Sequence, residues 1–77
     1  MKIISICDHR DICTGLQLAG IDGDVVHTSE AFSLAFKNAL ADRQVGILVI
    51  TKNLAHRYAK QVNEAQLNKT IPLVVEL

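Results

Sequence analysis

The sequence predicts an α/β fold: a four-stranded parallel sheet in the order 2-1-3-4, with three helices in βαβαβαβ succession. Three observations predict it. Short β-branched runs alternate with segments of helical periodicity. The strongest run, Val45-Gly46-Ile47-Leu48-Val49-Ile50-Thr51, carries no charge, as a central strand covered on both faces requires. The segments between runs have the length of crossover helices, and crossovers on a parallel sheet are right-handed.

The first strand is Lys2-Ile3-Ile4-Ser5-Ile6-Cys7, stopped by the polar turn Asp8-His9-Arg10-Asp11. Asp11 is placed to cap a helix from Ile12 to Ala19, with Ile12, Leu16 and Ala19 on its inner face and Gly20 in the left-handed position that ends it. Gly15 weakens this helix by about 1 kcal/mol relative to alanine, and close packing is the reason expected for a glycine there. Asp24-Val25-Val26-His27 is the second strand. Thr28 or Ser29 caps the second helix, which runs to Ala41 with Phe32, Ala35, Phe36, Ala39 and Leu40 on its core stripe and Glu30 at its positive end. Leu34 falls off that stripe and is either an ordinary exposed leucine or part of a partner surface.

After the third strand, Asn53 is expected to cap a single helix from Leu54 to Leu67. Its buried stripe is Ala55, Tyr58, Ala59 and Val62, with Lys60 and Glu64 as a solvent pair. Asn68-Lys69-Thr70 forms the next turn. Pro72 suits the first position of the fourth strand, Leu73 to Leu77, because its missing N–H does least harm there. The winding of the strand order reverses between the first and third strands, as in a shortened flavodoxin-like or receiver-like sheet. Residues 1–77 form a single domain.

Composition limits function. Eight Lys and Arg balance eight Asp and Glu, so no net field draws the chain to nucleic acid or to an anionic membrane surface. No apolar run approaches the roughly 20 residues of a spanning helix, and Met1-Lys2 leads into a strand without a signal-peptide layout. A cytoplasmic protein is expected. Cys7 and Cys13 are the only cysteines and are expected to be reduced thiols.

The ligand crevice of such a sheet lies beyond the strand ends at the reversal point, near Asp8 and Thr51. A phosphoacceptor receiver needs an aspartate where the third strand here ends in Thr51-Lys52, so Asp8 and Asp11 are turn and cap residues first. Cys7 stands where a phosphocysteine carrier of the IIB type of sugar phosphotransferase systems places its nucleophile. Against that, its loop carries two carboxylates and lacks the small residues that cradle a phosphoryl group. A cysteine phosphatase would need an arginine at the position Cys13 holds. Cys7, His9, Cys13, His27 and His56 lack zinc-site spacing, so no metal is expected. The nucleotide and acyl-transfer motifs Walker A, G-x-G-x-x-G and G-x-S-x-G are missing, and no cofactor or catalytic residue is assigned.

Four stretches, in order, resemble the F subunit of V/A-type ATP synthases and ATPases. MKIISICD, Met1 to Asp8, is similar to that family's opening strand and acidic turn, with Cys7 at a position the family usually gives to glycine. TGLQLAGI, Thr14 to Ile21, is similar to its glycine-aromatic-x-leucine-alanine-glycine segment, with Leu16 in place of the aromatic residue. VGILVIT with Lys52-Asn53-Leu54-Ala55 resembles its third strand and helix entry, and IPLVVE, Ile71 to Glu76, its fourth strand. The resemblance implies a non-catalytic rotor subunit on the central stalk, bound to the coiled-coil D subunit beneath the catalytic A/B head and near the membrane-ring adaptor subunit. It also implies a peripheral place at the membrane without insertion. Family members continue past the fourth strand into a C-terminal helix that this sequence does not include. The docking face is expected to include either loop residues 8 to 11, on account of His9 and Arg10, or the outer side of one helix, on account of Leu34. The rival expectations are a phosphocysteine carrier using Cys7 and a receiver-like adaptor that binds a partner without phosphorylation.

Overall fold

The β-branched runs near 2–7, 45–50 and 73–76 become strands, and the periodic runs become helices, the last of them as two. The computed structural model describes residues 1–68 and 72–77. In chain order the elements are β1 (Lys2–Cys7), α1 (Arg10–Leu18), β2 (Asp22–Val25), α2 (Ser29–Ala41), β3 (Val45–Ile50), α3 (Lys52–Arg57), α4 (Ala59–Asn68) and β4 (Leu73–Glu76). The sheet is four-stranded and parallel in the order β2-β1-β3-β4. β1 and β3 are central, and Ile4 faces Leu48 and Ile6 faces Ile50 across them.

Register sorts the side chains onto two unequal faces, because partners across a ladder point the same way. On one face, Ile6, Leu48 and Ile50 meet Phe32, Phe36 and Ala39 of α2, Leu54 and Ala55 of α3 and Val62 of α4. Phe32 lies between two rings, with centroids 5.3 Å from Phe36 and 4.3 Å from Tyr58. On the other face, Ile3, Ser5 and Cys7 of β1 align with Ile47 and Val49 of β3 and Leu73 and Val75 of β4. Among the described residues, α1 is the helix that packs there, against β1 and β2. Ile3, Ile12, Leu73 and Val75 consequently stay exposed.

Capping and turn chemistry set the ends. Thr28 Oγ1 accepts the Ala31 N–H at 3.1 Å, the expected cap of α2. Gly20 closes α1 at φ +89°, with its own N–H bonded to the Gln17 carbonyl and the Ile21 N–H bonded back to the Leu16 carbonyl. This double bond pattern is the Schellman motif, and it needs the left-handed backbone that glycine adopts without strain.

Several expectations shift. α1 is capped by His9, whose Nδ1 accepts the Asp11 N–H at 3.3 Å, and not by Asp11. Its one buried residue is Cys13, so the inner face is rotated from the Ile12-Leu16-Ala19 stripe, and Ala19 is exposed. Nothing lies within 4 Å of a Cβ placed on Gly15, so close packing is not the reason for that glycine. β2 starts two residues early, at Asp22, because the ladder to Ile4 through Cys7 captures the chain as it leaves the Gly20 turn. Val26 then leaves the strand and enters the core. The expected 54–67 helix is two helices, α3 and α4, separated at Tyr58 (φ −112°, ψ 34°), whose ring stacks on Phe32. Tyr58 still donates to the Leu54 carbonyl and accepts from Val62, so the break is one residue wide. Thr51, not Asn53, is the cap residue of α3, and it makes no side-chain cap bond. Of the expected 68–70 turn, Lys69 and Thr70 lie outside the described residues, as does Ile71.

Candidate functional site

At the open ends of β1 and β3 the chain places Asp8, His9, Arg10 and Thr51, the position where a doubly wound sheet binds ligands. His9 and Arg10 are exposed at the start of α1, with the His9 imidazole engaged by the helix backbone. Thr51 is buried, and its Oγ1 has no hydrogen-bond partner among the described residues. The phosphoacceptor position of a receiver is therefore held by an enclosed hydroxyl.

Cys7 is fully buried at the end of β1, beside Cys13 of α1. Burial pushes its thiol above the ordinary value of 9.0. The Ser5 hydroxyl opposes the rise, while Cys13 and the Asp8 charge add to it. A phosphocysteine carrier needs an accessible thiolate, and both properties disfavour one here. His27, between β2 and α2, and His56 of α3 are both exposed, and among the described residues no three His, Cys, Asp or Glu side chains are grouped to hold a metal ion.

Leu34 is 64% exposed on α2, across the sheet from α1, so it does not share a surface with His9 and Arg10. It borders a groove of about 260 Å³ between α2 and the edge strand β2, floored by Val25, Val26, Ala31 and Ala35 and also lined by Asp24 and Asn38. A second hollow of about 390 Å³ lies over α3, α4 and β4, where His56, Asn63, Gln66 and Glu76 surround Ala55, Val62 and Val74. The sequence carried a signal for the first groove that the core-stripe assignment of Ala35 concealed. Ala31, Leu34 and Ala35 recur at i, i+3, i+4, a second apolar stripe on the same helix. The exposed β4 residues were hidden because a strand's pattern does not reveal which of its faces a helix will cover.

These features describe a small α/β domain whose enclosed thiol and hydroxyl are withdrawn from solvent and whose accessible features are apolar or weakly polar surfaces. Among the described residues, no helix is long and apolar enough to cross a membrane. The family model described as ATP synthase (F/14-kDa) subunit matches residues 3–77. No curated protein and no solved structure matches the chain.

Proposed function

Since this chain belongs to the ATP synthase (F/14-kDa) subunit family, a subunit of the V-type ATPase and ATP synthase complexes that couple ATP to ion transport, we propose that it is a non-catalytic part of the central rotor stalk. The domain of residues 1–77 docks on the coiled-coil D subunit and turns with it, on the cytoplasmic side, beneath the A/B head. The family match along nearly the whole chain carries this reading. The site geometry is consistent with it, since the thiol at the crevice is enclosed and protonated while apolar side chains stand in solvent.

A partner that binds only the folded state also answers a physical need, because a chain this small retains only a few kcal/mol of net stability. Docking is therefore expected to raise the melting temperature of the domain. The test is co-expression with the D subunit of the same complex, followed by size-exclusion chromatography and thermal unfolding of the co-eluting pair. Co-elution with a raised melting temperature supports the stalk role. Separate elution, with an unchanged melting temperature on mixing, rejects it.

A further inference from the structure

We propose that the groove between β2 and α2 receives one amphipathic helix, which lays an apolar ridge against Leu34 and sets Lys or Arg residues along the β2 side. The proposal rests on the stalk reading and assigns the surface by which the shaft is held.

The shape favours a helix. Ala31, Leu34 and Ala35 stand at the i, i+3, i+4 spacing by which one helix meshes with another, and the two alanines permit the 8–10 Å axial approach of packed helices. Leu34 supplies the protruding knob, 64% exposed with no other element over it. The far wall is an edge strand, and edges attract added strands unless charges guard them. Asp22 and Asp24, both exposed, guard this one, so a strand is excluded where a helix is admitted.

Charge sets the flank of the incoming helix. The chain as a whole is neutral, yet Asp24 lines the groove, Asp22 precedes it on the same side of β2, and Glu30 sits in the first turn of α2. Lys37 is the one Lys or Arg within α2. A basic flank on the partner neutralises this excess and fixes its orientation.

The experiment measures the affinity of the 77-residue domain for the coiled-coil D subunit of its complex, at low and high NaCl, with variants Leu34→Asp, Leu34→Met and the pair Asp22→Asn/Asp24→Asn. Leu34→Asp is expected to lose roughly thirtyfold in affinity, as for removal of a central anchor, with the isolated domain's melting temperature unchanged. Leu34→Met is expected to bind within about threefold of the parent. The aspartate pair is expected to bind more weakly at low salt and to show a flatter salt dependence. Should Leu34→Asp impair folding, the aspartate pair decides. Parent binding with all variants equal to it overturns the groove while leaving the stalk reading intact. No binding by the parent overturns both. Loss at Leu34 with an unaltered salt dependence in the aspartate pair overturns the basic flank.

Discussion

Gly23→Ala is expected to lower the melting temperature by roughly 10 °C, from a cost of about 2 kcal/mol. Gly23 pairs with Ser5 in the β1–β2 ladder. A Cβ placed on it would overlap the Ser5 hydroxyl and come within 2.5 Å of the Ser5 carbonyl oxygen. A side chain can rotate away, but the carbonyl belongs to the central strand and cannot, so β2 must move outward and lose part of its ladder. Overpacking of this kind costs about 1–3 kcal/mol, and in a domain of this size each kcal/mol shifts the midpoint by roughly 4–8 °C. The assay is thermal and urea unfolding by far-UV circular dichroism, with a constant m-value required for the comparison. A double-mutant cycle with Ser5→Ala separates the two contacts. Removing the hydroxyl restores part of the loss and leaves the carbonyl's share. A Gly23→Ala midpoint within about 2 °C of the parent would refute the argument, and full rescue by Ser5→Ala would show that the hydroxyl alone sets the spacing.

Three further outcomes follow from the same structure. The glycines of α1 behave oppositely: Gly15→Ala stabilises by up to about 1 kcal/mol, since open space surrounds it, whereas Gly20→Ala destabilises by about 1–2 kcal/mol because its backbone is left-handed; equal effects in urea titrations would contradict this. Phe32→Ala removes the ring held between Phe36 and Tyr58 and costs about 3–5 kcal/mol, enough to leave the isolated domain largely unfolded by circular dichroism; a cooperative transition near the parent's would count against the aromatic stack as the core's anchor. Titration gives opposite slopes at the two ends of the pH scale. The Cys7 thiol is raised by burial, so its contribution is intact below the unfolded value near 9.0 and is lost as pH rises through the higher folded value, and Cys7→Ala flattens this alkaline limb. Asp42 is lowered by its bond to Lys2 at 2.9 Å and by the Gln44 N–H, so its contribution is present above 3.8 and lost as pH falls through the lower folded value, and Asp42→Asn flattens the acid limb.

What was legible in the sequence was periodicity. The β-branched runs at 2–7 and 45–50 gave the central strands, the Phe32-Phe36-Ala39 spacing gave the inner side of α2, and crossover geometry fixed the order 2-1-3-4. Gly20 and Thr28 were legible because each has one local job. What escaped was decided by tertiary contact. β2 begins at Asp22 because β1 offers a ladder there, although Asp-Gly-Asp is poor strand material alone. The interruption at Tyr58 coincides with its stacking on a ring 26 positions earlier in the chain, which no local window sees. Of the three residues marked for an interface, His9 and Arg10 fall at the start of α1 and Leu34 on α2, which covers the other face of the sheet, an arrangement that spacing along the chain does not encode.

The lopsided cover of the sheet divides the molecule mechanically. α1 lies against β1 and β2 but buries only Cys13 fully and Leu16 in part, so its amides are expected to exchange with solvent by local lifting. Those of β1 and β3, clamped under three helices, exchange only when the whole domain opens. A load applied through α2 would pass straight into the stiff half, and the loose half would ride outside the line of force.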